Sequence, residues 1–249
     1  MNRIVIKRRK NKKNSFWIKD ILDGKKLGKI TIKNNTKEIK YKAKLKIKFN
    51  QYNLKQEVLM TISQSWEFFY YNFIKDYNKS FIDIEHYEFP LFVESCRLKS
   101  CENDMFDRPA LLHPAARKAW NRMKKSALED RIDLQIISAY RSLDYQKQLI
   151  NNKLDKRVDI KDILNVNTLP GFSEHHTGCA IDIGSVDEPV LEEAFDQSNA
   201  FKWLTENAKN FGFKMTYPKG NTTGICYEPW HWCYKPSLNL PQKYYSDMK

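Results

Sequence analysis

The sequence predicts an α+β protein in which helices flank a small antiparallel sheet, preceded by a basic module of a β-hairpin and a helix. Three features indicate this class. Helix-like and strand-like segments alternate beyond residue 113, but without the strict strand–helix–strand order of a parallel sheet. Apolar residues and lysines alternate over residues 38–49, as in an antiparallel strand with one buried face. The positive charge is concentrated near the N-terminus.

The charge distribution predicts two parts of the chain. The 249 residues carry a net charge of +13, from 43 basic and 30 acidic side chains. Residues 1–55 contain 19 lysines and arginines but only 3 acidic residues, so the remainder has a small net negative charge. Because a break in composition of this kind indicates a domain boundary, we expect a basic module over residues 1–80 and a second domain over residues 81–249.

The basic module is expected to form strands followed by one helix. Strands are indicated by period-two alternation, the turn by paired asparagines, and the helix by apolar residues at helical spacing. The predicted elements are strands at 1–7, 28–33 and 38–49, a turn at 34–35, a helix at 56–77 and a linker at 83–90.

The second domain is expected to contain three helices and four strands. Pro114 favours the start of a helix whose apolar residues, from Ala116 to Ala127, share one face. Asn199 can cap a later helix, which Gly212 ends. The other predicted elements are a helix at 143–153 and strands at 134–139, 179–183, 214–217 and 226–234.

Composition excludes several classes of protein. No apolar run approaches the roughly 18 residues that span a bilayer, and the low Gly and Pro content excludes collagenous or linker-like chains. An odd number of cysteines, five, argues against a disulfide framework. Since lysine and asparagine interrupt the start of the chain before any signal-like apolar stretch, we expect a cytoplasmic location, with release to the cell wall by lysis or a non-standard route as the alternative.

Two short motifs carry candidate chemistry. The first is residues 173–182, SEHHTGCAID, and the second is residues 227–232, YEPWHW. A catalytic zinc site needs three nitrogen or oxygen ligands, an open position and a base that does not bind the metal. His175, Asp182 and His231 would supply the ligands and Glu228 the base, while Gly178 would let the chain turn between the first two ligands.

The pattern Ser-x-His-x-x-Gly-x-Ala-x-Asp followed by Glu-x-Trp-His resembles the signature of the zinc D-alanyl-D-alanine carboxypeptidase superfamily, which has the Hedgehog/DD-peptidase fold. The second motif is most similar to the VanY-like branch, which contains D,D- and L,D-carboxypeptidases. Residues 138–142, SAYRS, resemble the same branch, as do 203–208 and 217–220. The resemblance covers about residues 107–235.

The resemblance implies a role for each motif residue. His175, Asp182 and His231 would bind one Zn²⁺ per chain, and Glu228 would act as the base that activates water. Arg141 would stabilise the oxyanion or hold the substrate. Gln146 and Ser173 would help to hold the terminal carboxylate of the leaving D-alanine.

Other residues near the motifs have simpler interpretations. His86 and His113 are expected to be structural, and His176 falls on a variable position of the motif. Cys226 and Cys233 flank the second motif and could, as soft ligands, form a different zinc site with His231. Strand alternation places these two cysteines on opposite faces, which argues against that site.

The predicted function is that of a zinc carboxypeptidase acting on peptidoglycan stem peptides or muropeptides, with D,D or L,D specificity left open. A phage-type endopeptidase (lysin) and a non-catalytic protein that binds wall or other polyanions are the alternatives. The lysines of residues 1–55 would attract an anionic polymer, but no motif for specific nucleic-acid binding is found.

Overall fold

The computed structural model describes residues 4–9, 12–20, 26–31, 91–92, 94–95 and 97–235, and it shows an α+β protein with small antiparallel sheets. The helices of these residues are α1 (Pro114–Glu129), α2 (Leu143–Asp155), α3 (Ile160–Val166) and α4 (Asn199–Asn207). The strands are β1 (Ile4–Arg9), β2 (Lys12–Asp20), β3 (Lys26–Thr31), β4 (Leu91–Phe92), β5 (Lys99–Asn103), β6 (Pro109–Leu112), β7 (Leu134–Ser138), β8 (Ala180–Ser185), β9 (Phe213–Met215) and β10 (His231–Tyr234).

The sheet that carries the site has the strand order β7-β8-β10-β9, and every neighbouring pair is antiparallel. The predicted strands at 134–139 and 179–183 are confirmed as β7 and β8. Strand β8 is buried from Ala180 to Gly184, as expected for a strand in the middle of a covered sheet. The predicted strand at 226–234 is wrong in its first half, because only His231–Tyr234 pairs with neighbouring strands.

Helix α1 packs on this sheet through the predicted apolar face. Trp120 and Met123 are fully buried in a core shared with Leu134 of β7 and Phe213 of β9. The Trp120 indole donates a hydrogen bond of 2.7 Å to Glu102 Oε1, so the buried ring keeps a polar partner. The predicted helix start at Pro114 and the predicted helix at 143–153 are both confirmed.

Helix α4 begins one residue away from the predicted cap. Ser198 is the N-cap, since its Oγ accepts a 3.0 Å hydrogen bond from the Phe201 N–H, whereas Asn199 is already helical. The helix continues as a 3-10 turn over Ala208–Phe211, and Gly212 ends it at a φ of 84°. That C-terminal end agrees with the prediction, because glycine adopts positive φ without strain.

Strands β1, β2 and β3 of the basic module form a second antiparallel sheet together with β4, which lies beyond residue 80, in the strand order β3-β2-β1-β4. Strands β1 and β3 overlap the predicted strands at 1–7 and 28–33, and β4 closes the sheet by pairing with β1. The predicted turn at 34–35, strand at 38–49, helix at 56–77 and linker at 83–90 lie outside the described residues, and the domain boundary at residue 80 stays a prediction. No helix of the described ranges is both long and apolar enough to traverse a bilayer.

Candidate metal centre

His175 is positioned by a short 3-10 turn, Glu174–Thr177, that immediately precedes β8. Ser173 caps this turn, and its Oγ accepts a hydrogen bond of 3.3 Å from the His175 N–H. Gly178 ends the turn at a φ of 65°, and a Cβ there would lie 2.9 Å from the backbone nitrogen of His113. Only glycine fits this close approach, so Gly178 turns the chain between His175 and Asp182 as the sequence predicts.

His231 and Asp182 face each other across two neighbouring strands. They are direct partners in the antiparallel pair of β10 and β8, and His231 Nδ1 lies 3.0 Å from Asp182 Oδ1. The ring of His175 stands edge-on to that of His231, with 5.0 Å between the centroids. One ligand atom from each of these three residues lies within 4.8 Å of the other two. We call His175, Asp182 and His231 the metal cluster.

The protonation of His175 favours a cation in this cluster. Its Nδ1 lies 2.5 Å from the carbonyl oxygen of Ala139 and therefore has to carry the proton. Burial lowers the pKa of His175 to about 4, so the ring is neutral and Nε2 has only a lone pair. This Nε2 is buried without a hydrogen-bond donor, yet it lies 3.2 Å from Asp182 Oδ1. Two acceptors at that distance repel each other unless a cation lies between them.

His231 and Asp182 add the same electrostatic preference. Burial alone would lower the pKa of His231, but hydrogen bonds to the Asp182 and Glu174 carboxylates raise it to about 9. Burial opposes ionisation of Asp182, but the nearby imidazoles hold its pKa below the usual range. The cluster is almost fully buried, and its carboxylate favours a positive charge beside it, from a proton or from a metal ion. Its donor set of two imidazoles and one carboxylate fits zinc.

Glu228 reaches the edge of the metal cluster because the chain turns sharply before β10. The His231 N–H donates to the Glu228 carbonyl over 3.2 Å, and the Glu228 N–H donates to the Tyr217 carbonyl over 3.0 Å. This turn through Pro229 and Trp230 replaces the predicted regular strand and places Glu228 Oε2 at 3.8 Å from His231 Nδ1. Burial raises the pKa of Glu228 to about 7, because the loss of water and the nearby carboxylates outweigh the opposing effect of His231 and Arg141.

A cleft with about 260 Å³ of open space borders the metal cluster. Arg141, Gln146 and Ser173, the three predicted substrate contacts, all line it together with Glu228, His175 and His231; Asp182 does not. The structure therefore brings the predicted catalytic and substrate residues to one cavity. We call Arg141, Gln146 and Ser173 the substrate wall.

Arg141 lies between β7 and α2, and the residues on both sides of it are anchored by Glu94. The Tyr140 hydroxyl donates to Glu94 Oε1 over 2.9 Å, and the Leu143 N–H donates to the same atom over 2.8 Å. The Nε of Arg141 is buried without a hydrogen-bond partner. Because an unpaired buried donor is costly, a positively charged group in this state is suited to an anionic ligand.

The other two members of the substrate wall, Gln146 and Ser173, each use one polar group within the protein. Gln146 donates one amide N–H to the carbonyl of Thr168 over 2.7 Å, and its Oε1 is buried without a partner. The bond to a carbonyl fixes the amide orientation, so the second N–H of Gln146 stays available as a donor. The Ser173 oxygen accepts from His175, which leaves its O–H as the donor for a ligand.

His176 supports the site from outside the metal cluster. Its Nδ1 lies 2.7 Å from the carbonyl oxygen of Arg141, and its Nε2 accepts a 3.0 Å hydrogen bond from the Gly171 N–H. Burial lowers the pKa of His176 to about 3, so it is neutral. Since both ring nitrogens already have backbone partners, His176 fixes the backbone beside Arg141 and has no lone pair left for a metal.

Two further features of the site concern the flanking cysteines and Glu174. Within residues 97–235, the structure groups only His175, Asp182 and His231 as metal ligands, in agreement with the argument against a cysteine site; Cys233 is buried and Cys226 is exposed. The resemblance gives Glu174 no role, but its Oε2 lies 3.2 Å from His231 Nε2 and its Oε1 lies 2.7 Å from Lys235 Nζ. Its position beside His175 in the motif is the signal that could have identified it.

Comparison with known proteins places these features in a known group. Residues 109–237 match the family described as VanY: D-alanyl-D-alanine carboxypeptidase. VanXYC of Enterococcus gallinarum, a bifunctional D-Ala-D-Ala dipeptidase and D-Ala-D-Ala carboxypeptidase, is 32% identical over 133 residues, which cover 51% of this chain and 69% of VanXYC. YodJ of Bacillus subtilis (strain 168) is 38% identical over 119 residues, 47% of this chain but only 43% of YodJ.

A solved structure shows the same relationship in three dimensions. The LdcB LD-carboxypeptidase, whose structure is described as revealing the molecular basis of peptidoglycan recognition, superimposes with a TM-score of 0.54. It is 31% identical, and the match covers 59% of this chain and 71% of LdcB.

Proposed function

Because this chain belongs to the VanY D-alanyl-D-alanine carboxypeptidase family, we propose that it is a zinc carboxypeptidase that removes the C-terminal D-alanine from peptidoglycan stem peptides. The observation that carries the proposal is the buried metal cluster with Glu228 at its edge, facing a cleft lined by Arg141. The similarity to LdcB, an LD-carboxypeptidase, supports L,D specificity, and the similarity to VanXYC, a D-Ala-D-Ala carboxypeptidase, supports D,D specificity.

The metal cluster supplies three nitrogen and oxygen ligands, as in catalytic rather than structural zinc sites. These three residues would hold a zinc ion, which would supply a coordinated water with a pKa of about 7 and polarisation of a carbonyl group. The protein's own contribution is the orientation of the ligands. Ala139 fixes the tautomer of His175, and the pairing of β8 with β10 fixes Asp182 against His231.

Glu228 is the proton carrier of the proposed reaction. Its carboxylate lies beside the metal cluster but is not needed as a ligand. It takes a proton from the attacking water and passes it to the amine of the leaving D-alanine, so the peptide C–N bond breaks and an acid and an amine are formed. The turn before β10 holds Glu228 in this position through backbone hydrogen bonds to Tyr217 and His231.

The substrate wall binds the C-terminal end of the peptide. Arg141 keeps its charge at all relevant pH values and offers a forked set of donors to a carboxylate or an oxyanion. The Ser173 O–H and the remaining Gln146 N–H add neutral donors beside it. An exopeptidase must recognise a free carboxylate, so this cluster of donors favours a carboxypeptidase over the lysin alternative.

Muropeptides with defined stems test this function. Zinc-loaded protein is incubated with tri-, tetra- and pentapeptide muropeptides, and the products are identified by mass spectrometry, with a Glu228→Gln variant as the matched control. Loss of alanine from the pentapeptide indicates D,D activity, and loss from the tetrapeptide indicates L,D activity. Cleavage within the stem would instead establish the endopeptidase, and zinc binding without any cleavage would establish the non-catalytic alternative.

We propose further that residues 1–55 bind an anionic wall polymer. The excess of 19 basic over 3 acidic residues carries this proposal, since such a segment attracts polyanions through counterion release. Binding of the full chain to cell-wall sacculi and to DNA is compared over a range of salt concentrations. Stronger binding to sacculi is expected, and stronger binding to DNA would contradict it.

A further inference from the structure

Glu174 is a buried carboxylate that belongs to neither the metal cluster nor the lining of the cleft. Glu174 is only 2% exposed to solvent. Its Oε2 accepts a 2.6 Å hydrogen bond from the Thr216 hydroxyl and lies 3.2 Å from His231 Nε2, while its Oε1 lies 2.7 Å from Lys235 Nζ. A buried charge is tolerated only when its partners are well placed. The partners of Glu174 therefore indicate its structural role.

The imidazole of His231 has acidic side chains on both of its nitrogen sides. Its Nδ1 faces Asp182 at 3.0 Å and Glu228 at 3.8 Å, whereas its Nε2 faces Glu174. A neutral imidazole that gives the Nδ1 lone pair to a cation has to carry its proton on Nε2. Glu174 is the acceptor for that proton, and the contact also restricts rotation of the ring.

Lys235 complements the charge of Glu174 from the end of β10. It follows His231 by four residues, and strand alternation places both side chains on the same face of the sheet. The Lys235 N–H donates to the Gly212 carbonyl over 2.7 Å, and Lys235 Nζ donates to Thr216 Oγ1 over 3.3 Å. The ammonium is thus held by Glu174 and Thr216, the backbone of Lys235 is held by Gly212, and the side chain is only 12% exposed.

We propose that Glu174 and Lys235 form a positioning pair that fixes the tautomer and orientation of His231 for metal binding, with Lys235 acting through Glu174. The inference rests on the proposed function, because it assumes that His231 binds zinc. Neither residue touches the substrate. A partner behind a metal-bound histidine typically changes metal affinity 10- to 100-fold when it is removed.

The test measures zinc affinity directly, by competition with a chromophoric chelator at fixed pH, on the full chain. The variants are Glu174→Gln, Lys235→Met and the double variant, with Lys124→Met as the matched control. Lys124 forms a similar ion pair, 2.6 Å from Glu102, but away from the metal cluster. The visible absorption of the Co²⁺-loaded proteins reports ligand geometry, and circular dichroism verifies that each variant is folded. Lys235→Arg keeps a positive charge at this position and tests whether that charge restores the zinc affinity that Lys235→Met loses.

Glu174→Gln is expected to weaken zinc binding roughly 10- to 100-fold and to alter the Co²⁺ bands, while Lys124→Met changes neither. Because Lys235 acts through Glu174, the double variant should be no weaker than Glu174→Gln alone, and Lys235→Arg should bind close to the parent protein. Parental zinc affinity in Glu174→Gln, or additive losses in the double variant, would overturn the inference. A parent that binds zinc but cleaves no peptide would instead refute the proposed function, and the binding data would still decide the role of Glu174.

Discussion

The metal cluster and the substrate wall border the same cleft, but they are completed in different ways. Two members of the cluster, Asp182 and His231, lie on paired strands and have polar partners within the protein. The substrate wall lies on chain segments between or at the ends of elements, and it includes buried polar atoms without partners, Arg141 Nε and Gln146 Oε1. Folding therefore fixes the candidate ligands for a cation in advance, whereas the substrate wall keeps unpaired polar atoms that we expect a ligand to approach.

The largest expected effect is the loss of the metal from His231→Ala. Two ligands remain in this variant, too few to retain zinc through dialysis. His113→Asn is the control, because His113 is a buried histidine that accepts a 3.3 Å bond from the Ala115 N–H at the start of α1, a role that asparagine can keep. Zinc content after dialysis is the measurement. A His231→Ala protein with a full complement of zinc would disprove the assignment of the cluster.

The next effect separates the cluster from its proton carrier. Glu228→Gln is expected to keep zinc and the fold but to reduce turnover about 10²- to 10⁴-fold, because the amide cannot take up a proton from water. Turnover on the muropeptide that the parent cleaves is measured beside zinc content. If the variant turned over at the parental rate, a different base would have to be sought, with Asp182 and Glu174 as the first candidates.

A smaller effect tests the substrate wall. A stem peptide whose C-terminal D-alanine is amidated should be cleaved roughly 10- to 100-fold more slowly than the free acid, since a lost hydrogen bond to a charged group costs about 1.5–3 kcal/mol. Arg141→Lys should weaken cleavage of the free acid as well, because a single ammonium does not reproduce the guanidinium fork. The measurement is kcat/KM for the free-acid peptide and for its C-terminal amide. Equal values for the two peptides would indicate an endopeptidase.

The smallest effect concerns the turn that joins two ligands. Gly178→Ala should lower the free energy of unfolding by more than the matched variant Gly220→Ala. Both glycines have positive φ, 65° and 71°, which costs alanine about 1–2 kcal/mol. Only at Gly178 would the new Cβ also meet backbone, at 2.9 Å from His113 N, because Gly220 has no atom within 4 Å. Chemical denaturation measures the free energy of unfolding of both variants. Equal decreases in the two variants would show that the close approach at Gly178 carries no cost.

Local patterns in the sequence determined much of the structure of residues 97–235. The apolar face of α1, the strand β7 and the helix α2 follow from periodicity and flanking residues, since those signals extend over a few consecutive positions. The motif residues also predicted which side chains would meet, because His175 and Asp182 are joined by one turn at Gly178. The basic charge of residues 1–55 is likewise a property of sequence alone.

Tertiary structure decided the remaining parts, because they depend on contacts between distant residues. Glu174 and His231 are 57 positions apart, and Glu174 and Thr216 are 42 apart, so no local pattern indicates that they touch. The turn that brings Glu228 to the cluster replaces part of a predicted strand, since its backbone pairs with Tyr217 and not with a continuous ladder. The Thr168 carbonyl, 22 positions from Gln146, likewise determines which amide atoms of that side chain remain for a substrate. Periodicity describes how a segment presents its side chains, but only the packed fold determines which hydrogen-bond partners those side chains meet.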